Sequence, residues 1–481
     1  MSKELSKNIQ IAKEIAQKIK NKNGRMFYVG GYVRDLLMNK ENKDIDVEVF
    51  GLSLDELTEI ISEYGIVDQI GISFGILKVH GLDIDFGVPR KENNIGVRHK
   101  DFEINFDSNM SILEACRRRD FTINALMQDV LTDEIIDNFN GIQDIKNKVI
   151  RHIDETTFVQ DELRVLRSCS FAARLNFNIS NDTLILCKKL DCTNLTKERI
   201  YTEVEKALLK AEKPSIFFEY TREIGLLKKI FSPMDKLIGV KQNPKYHPEG
   251  DVWTHTMMVI DECAKLKEKS NYPIALMLAA VCHDLGKITT TRLLHGKIIS
   301  YNHENELHLT KKFLKNMTNN NDLTYSVMLL VKNHMRPNVL AKNNSSDKAI
   351  RKLIIDTSSK IVNIQDALLL SKADRLGRSN DDLETYNIDD WWKEKLLSVN
   401  ENNTKIVPLV TGKDLIKIGY TQGEELGKAL KYAFDIQITG LSKEEIIDKI
   451  KSSKKEISNL KLQSKINNCN NKLYNNKFEG M

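Results

Sequence analysis

Asp44 and Asp46 lie two residues apart in the run Lys43-Asp44-Ile45-Asp46-Val47-Glu48-Val49. Successive side chains on a strand alternate between faces, so Ile45, Val47 and Val49 would point one way and both aspartates the other. Two adjacent carboxylates repel, and a divalent cation relieves the repulsion; Mg²⁺ suits oxygen ligands and nucleotide phosphates. A solvated strand face would show the same alternation. A second feature favours the metal: the apolar stretch Met26 to Val29 runs into Gly30-Gly31, and a helical pattern begins at Val33. Glycine backbone can approach a phosphate closely, and a helix N-terminus offers free N–H groups and a positive dipole. A tight strand-to-helix turn alone would also use these glycines, but Arg34 adds a guanidinium fork for phosphate. The segment Leu82-Asp83-Ile84-Asp85-Phe86 repeats the alternation, and Asp85 is the expected third carboxylate. Three carboxylates suffice for two-metal phosphoryl transfer. One ion then acidifies the attacking hydroxyl and the other holds the triphosphate.

Gly30-Gly31-Tyr32-Val33-Arg34-Asp35 followed by Lys43-Asp44-Ile45-Asp46 resembles the signature of the class II tRNA nucleotidyltransferase and bacterial poly(A) polymerase family, within the polymerase-β-like superfamily. The resemblance continues through Arg118-Arg119-Asp120-Phe121-Thr122-Ile123-Asn124-Ala125, Asn140-Gly141-Ile142-Gln143-Asp144, Asp161 to Leu175, and Glu198-Arg199. It implies template-independent addition of CCA to the 3′ end of tRNA from CTP and ATP, with Mg²⁺ and release of pyrophosphate. Poly(A) addition, or addition of only CC or only A, shares nearly all of these motifs and stays open. By the same resemblance, Arg119 and Asp120 would contact the nucleotide sugar or phosphates, Asn124 would support them, and Arg167 would reach toward the triphosphate. A phosphate-facing patch for RNA alone is the competing reading of these arginines.

Asp161 and Arg164 stand three apart in a helical stretch, so their side chains would leave one face. Cytosine and adenine each offer an amino donor beside a ring-nitrogen acceptor, which a carboxylate and a guanidinium can match; uracil and guanine would leave both unsatisfied. The resembled family is understood to read the incoming base in this way, at matching positions. A surface ion pair is the plainer alternative. Two positions depart from the family pattern: Gln160 stands where Glu is usual, and Ser170 where a further Arg is usual, which would remove a phosphate contact.

His255, the pair His283-Asp284, and Asp374 occur in the order of an HD-type phosphohydrolase domain, and Ala279 to Lys287 resembles that superfamily. Imidazoles and carboxylates converging from separate helices would hold a second divalent metal and activate water. His303 and His334 are candidates for a further metal shell. An HD phosphohydrolase using the head only to bind RNA is the alternative of another class.

The elements that must position these residues form an α+β chain. A polymerase-β-like nucleotidyltransferase head with a small mixed sheet is expected over 1–150, and all-α RNA-binding and HD domains follow. Strand signals vanish from about Thr156, so a helical nucleotide- and RNA-binding neck is expected over 151–240. The Pro- and Gly-bearing run Asn243 to Gly250 reads as a linker into an HD-type domain over 241–385. A helical tRNA-binding tail would fill 386–450, with Thr411 to Ile416 resembling HD-containing family members, before a Lys- and Asn-rich, partly disordered end over 451–481. The chain has 481 residues, 41% hydrophobic and 29% charged, with a net charge of +5, and no apolar run long enough for a membrane helix. Seven scattered cysteines without a C-x-x-C pair argue against zinc and redox work. A cytoplasmic protein is expected, with tRNA, CTP and ATP as partners and no membrane.

Overall fold

The computed structural model describes residues 3–42, 44–68, 75–94, 102–378, 388–399 and 407–452. Lys43 and most of the Lys- and Asn-rich end lie outside the described residues. The chain divides into two compact units, Met1–Asp235 with Lys315–Thr318, and Lys236–Leu314 with Asn319–Met481.

Among the described residues the head carries nine strands: β1 (Arg25–Val29), β2 (Ile45–Phe50), β3 (Val67–Asp68), β4 (Ile76–Val79), β5 (Ile84–Gly87), β6 (Arg90–Asn94), β7 (Phe102–Phe106), β8 (Met127–Asp129) and β9 (Ile135–Ile136). Seven form one sheet in the order β3-β4-β5-β2-β1-β8-β9, while β6 and β7 pair separately. The pairing of β2 with β5 is parallel and the remaining ladders of the sheet are antiparallel, so the sheet is mixed as expected.

Alternation splits this sheet into two faces. On one, Met26, Tyr28, Ile45, Val47, Val49, Ile84 and Phe86 pack with α1 (Lys3–Asn21) and α3 (Leu54–Ser62), which contribute Ile15, Ile19, Leu57 and Ile61. On the other, Phe27, Val29, Phe50 and Met127 cluster with Ala115 and Cys116 of α4 (Ile112–Arg117). Asp46, Glu48 and Asp85 belong to that second face by register. Burying α1 and α3 on the first face thus leaves these carboxylates on the side open to a ligand. Between β1 and β2 the chain forms α2 (Gly31–Leu37), and α5 (Gly141–Asn147) follows the sheet.

Helices dominate beyond: α6 (Glu155–Phe158), α7 (Leu163–Leu175), α8 (Asn181–Lys189), α9 (Lys197–Lys210) and α10 (Ser215–Ile224), with α7 against both α9 and α10. The expectation of no strands after Thr156 fails at two places. Val149–Ile150 pairs in parallel with Asn178–Ile179, and Arg292–Leu294 forms a hairpin with Lys297–Ile299 around His295-Gly296, both at positive φ. These segments are too short to give a periodic signal; the second is set by its turn, the first by a partner elsewhere in the chain.

The second unit is built on the helix Pro273–Cys282, whose residues from Ile274 to Cys282 are all buried. It packs on Val252–Ala264, Asn321–Asn333 and Ile364–Leu376. Helices Gly412–Lys417, Glu424–Gln437 and Lys443–Ser452 close a smaller core around Leu415, Ala429, Ala433 and Ile446. No described helix is long and apolar enough to cross a membrane. Six cysteines are buried and free.

Candidate active sites in the two units

In the first unit a cleft of about 1150 Å³ is lined by Gly30, Gly31, Asp44, Asp46, Asp85, Arg119, Asp161, Arg164 and Arg167. Gly30, at φ 66° and ψ −126°, caps α2 in a conformation that L side chains rarely adopt, and a Cβ there would lie 3.1 Å from Arg119 Nη1. The turn therefore needs glycine both for its dihedrals and for the guanidinium beneath it.

Parallel pairing places Asp46 directly opposite Asp85. Asp44 lies just before β2 rather than on it, its N–H donating to Asn42 Oδ1 at 3.0 Å. Desolvation in the cleft, then the Asp85 carboxylate, outweigh Arg119 and push the Asp46 carboxyl above its usual range, with Asp44 adding to the rise. Such crowding of negative charge is what a divalent cation would relieve, so the donor set fits one. The three carboxylates are not drawn into a single ligand shell, however, and Lys78 Nζ lies 2.7 Å from Asp85. Among the described residues, the groups with donor atoms within 4.8 Å of one another all lie in the second unit.

Several expected nucleotide contacts are held within the protein. Arg34, read from sequence as a phosphate fork, is only 4% exposed; it donates to Asp35 and, through Nη1, to Asn124 Oδ1 at 2.8 Å. Asp35 accepts from Asn42 at 2.9 Å, so Arg34 and Asp35 brace the loop that carries Asp44. Asn124 in turn donates to Asp120, which accepts from Arg167 Nε at 2.8 Å. Burial opposes the charge on Asp120, but Arg167 and Asn124 outweigh it and hold its carboxyl below the usual range. These residues form one network, buried at Arg34, Asn124 and Asp120, that joins the Asp44 loop to Arg167.

The expected helix face bearing Asp161 and Arg164 is corrected. Helix α7 begins only at Leu163, and Asp161 lies in the turn before it, accepting from Leu163 N–H at 3.0 Å and from Arg199 at 2.8 Å. An aspartate next to a helix start is drawn to the free N–H groups there, although the Arg164 N–H still bonds the Asp161 carbonyl at 3.0 Å and the two residues stay one turn apart. Arg164 donates to the carbonyls of Thr157 and Arg118, both at 2.7 Å, which fixes its guanidinium plane. Ser170 is fully buried and does not line the cleft.

Glu48 was missed. It continues the Asp44, Asp46 alternation, but its side chain is only 5% exposed and bridges Arg118 at 2.5 Å and Arg119 at 3.0 Å. Burial opposes its charge, yet Arg119 and Arg118 hold its carboxyl below the ordinary range.

In the second unit, separate helices bring His255, His283, Asp284 and Asp374 together. His255 Nε2 lies 3.1 Å from Asp374 and 3.8 Å from Asp284. His303 and His334 join them, with His303 Nε2 3.2 Å from Asp284 and 3.3 Å from His334 Nε2. Burial, then the His303 and His283 rings, push His334 down to about 3, so it stands ready as a neutral donor. His283 Nε2 is buried without a hydrogen-bond partner, an orphan that a metal ion would satisfy. The groups His255, His283, Asp374 and Asp284, His303, His334 thus offer two adjoining sets of nitrogen and oxygen donors suited to a divalent transition metal, and His247, Glu249 and His255 form a third group that shares His255. Lys287 lies 2.7 Å from Asp284, and Arg378 donates to Asp374 at 3.1 Å.

The run Asn243 to Gly250, read as a linker, is corrected. It belongs to this centre: Glu249 Oε1 lies 2.9 Å from both His247 and His255, and Gln242, just before the run, accepts from Lys287 at 2.8 Å. Turn chemistry hid it, since prolines and glycine mark a chain reversal whether or not the turn is packed.

Gly286 follows the His283-Asp284 pair, and a Cβ there would lie 1.9 Å from the carbonyl oxygen of His303. Gly286→Ala is therefore expected to push His303 away from Asp284 and to cost about 1–3 kcal/mol of stability. Thermal melting and Mn²⁺ titration of the full chain check both effects.

Comparison with known proteins agrees with this layout. The profile of the poly A polymerase head domain matches residues 26–151, that of the "Probable RNA and SrmB- binding site of polymerase A" matches 176–237, and that of the HD domain matches 252–376. The multifunctional CCA protein of Actinobacillus pleuropneumoniae is 37% identical over 275 residues, 56% of this chain and 65% of that protein. The chain thus spans slightly under two thirds of the length of such relatives. The multifunctional CCA protein of Methylobacillus flagellatus is 31% identical over 64% of this chain and 74% of its own length. Among solved structures, the Bacillus stearothermophilus CCA-adding enzyme in complex with CTP superposes with a TM-score of 0.64 at 19% identity, covering 95% of this chain and all of that one. The Thermotoga maritima CCA-adding enzyme complexed with tRNA gives 0.55 at 21% identity, over 94% of this chain and 100% of that one. With this fold, these domain matches and this identity to relatives, the chain belongs to the family of the multifunctional CCA proteins.

Proposed function

We propose that this protein adds CCA to the 3′ end of tRNA from CTP and ATP with Mg²⁺, releasing pyrophosphate, in the cytoplasm. The observation that carries this reading is one cleft lined by the carboxylates Asp44, Asp46 and Asp85, by the Gly30-Gly31 turn, and by Asp161 and Arg164. Mg²⁺ held by Asp44 and Asp46 would supply Lewis acidity to the attacking hydroxyl and the phosphates. Asp85, opposite Asp46, adds negative charge on the same face. The Gly30-Gly31 backbone gives the triphosphate a close approach at the start of α2, while Arg119 and Arg167 line its path with positive charge. Glu48 and Asp120 fix those two guanidiniums in place, so little reorganisation is needed when the nucleotide enters. Asp161 and Arg164 present an acceptor and a donor whose planes are set by Arg199 and by the Thr157 and Arg118 carbonyls, an arrangement matched by cytosine and adenine.

The test supplies tRNAs ending before CCA, after C and after CC, with CTP or ATP separately. Stepwise addition stopping after one A is expected; growth of an A tail on unrelated RNA would replace this reading by poly(A) polymerase, and activity confined to one step by a partial enzyme. Arg164→Ala is expected to erode rejection of UTP and GTP by about 1–3 kcal/mol, read as the ratio of kcat/KM values between nucleotides. Unchanged selectivity would refute the base-reading role.

The second unit supports a second activity, metal-dependent hydrolysis of phosphoesters at RNA ends, because His283 Nε2 is buried without a hydrogen bond, 3.3 Å from Asp284, amid the donor groups. A 2′,3′-cyclic phosphate substrate, with His283→Ala as control, tests it; no metal-stimulated hydrolysis by the wild type would leave this centre structural. The helices between Gly412 and Ser452 fit a contact to the tRNA body.

A further inference from the structure

The histidines of the second unit differ in how their outer nitrogens are held. Nδ1 of His283 lies 2.8 Å from the carbonyl oxygen of Ala280, Nδ1 of His303 2.9 Å from that of Ser300, and Nδ1 of His334 2.6 Å from that of Val331. Each ring thus uses the carbonyl three residues before it, which places the proton on Nδ1 and leaves the Nε2 lone pair facing inward. His255 lies inside the helix Val252–Ala264, and there the carbonyl of Val252 accepts from Thr256 Oγ1 at 2.8 Å. Its Nδ1 makes no hydrogen bond to a carbonyl and lies 2.9 Å from Glu249 Oε1 as an ion-pair contact, while its Nε2 lies 3.1 Å from Asp374.

We propose that Glu249 is a positioning residue of the histidine-aspartate centre, holding His255 so that Nε2 faces the metal and strengthening it as a ligand. The proposal rests on reading the centre as a divalent-metal site. Both side chains are sealed from water, at 1% exposure for Glu249 and 0% for His255, so their charge interaction is not screened. His247 Nδ1, also 2.9 Å from Glu249 Oε1, holds the carboxylate from a second direction. A carboxylate in this place raises the basicity of the imidazole more than a neutral carbonyl does, so His255 becomes the strongest nitrogen donor of the set. The segment that delivers Glu249 also delivers Gln242 to Lys287, so one turn supports the centre at two points.

The test titrates Mn²⁺ calorimetrically into EDTA-stripped full chain carrying Asp44→Ala and Asp46→Ala, so that only the second unit takes up metal. Glu249→Gln, which keeps an acceptor oxygen but loses the charge, is expected to weaken Mn²⁺ binding by about 10-fold, and Glu249→Ala by about 100-fold. Glu249→Asp should recover part of the loss, and thermal melting checks that each variant is folded. Unchanged affinity in a folded Glu249→Ala protein would overturn the proposal. So would the loss of one whole equivalent of Mn²⁺ with the remainder unaffected, which would make Glu249 a direct ligand. Failure of the parent protein to bind any Mn²⁺ that His283→Ala removes would overturn the metal-site reading itself.

Discussion

Asp46→Ala is expected to lower nucleotide addition at least about 10³-fold, on the order of 4 kcal/mol of transition-state stabilisation, while RNA binding persists. The place of Asp46 is set by β2 pairing on both sides, with β1 and with β5, whereas Asp44 lies before the strand. Burial, Asp85 and Asp44 raise the pKa of Asp46 and outweigh the opposing charges of Arg119 and Lys78. Alanine removes the repulsion along with the ligand, so the fold should tolerate the change and the loss should fall on chemistry. Single-turnover extension of a tRNA lacking its terminal CCA, alongside a filter-binding measurement of the same tRNA, separates the two. Normal turnover by the variant would sink the assignment of the metal to this strand.

Glu48→Ala is expected to cost about 3 kcal/mol of head stability and most of the nucleotide addition. Removing one partner of a buried ion pair leaves an uncompensated charge, and here two guanidiniums lose the same carboxylate. The low end of the usual range applies because Arg118 and Arg119 keep 29% and 21% side-chain exposure. Activity falls as well because Arg119, freed from Glu48, is the group beneath the Gly30 turn. Urea unfolding followed by a probe in the head reads the first effect, as a lower midpoint at an unchanged slope. The pH dependence follows from the direction of the shift. The folded carboxyl of Glu48 lies below its ordinary value of 4.5, so its contribution is complete above about that pH and is lost as pH falls through the lower folded value. In Glu48→Gln this acid-side portion of the dependence should disappear. A Glu48→Ala protein as stable as the parent would show that the two arginines find other partners.

Legibility differed from element to element for physical reasons. The β2 alternation was readable because period two is a local property, and it placed Asp46 on the face opposite Ile45 and Val47. Glu48 obeys the same alternation, yet nothing local distinguishes an exposed glutamate from one buried under two arginines some 70 positions later. Asp161 and Arg164 lie one turn apart as their spacing implies, but the helix itself starts only at Leu163, because helix starts shift by a residue or two according to capping. The HD set was readable as an ordered series of residue types; Glu249 was not, since its neighbours carry turn chemistry and its partner His255 is identified only through packing.

By itself, the sequence determined the α+β class of the head, the helical character of most of the remainder, and the residue types able to hold metal, phosphate and base. These depend on periodicity, on glycine and on charge, which are encoded locally. Only the tertiary structure decided which charges are braced by partners within the protein. Arg34 is taken by Asp35 and Asn124, Asp161 by Arg199, and the Arg118-Arg119 pair by Glu48. A buried charge must find a partner, and that partner is set by which strands and helices come together rather than by distance along the chain.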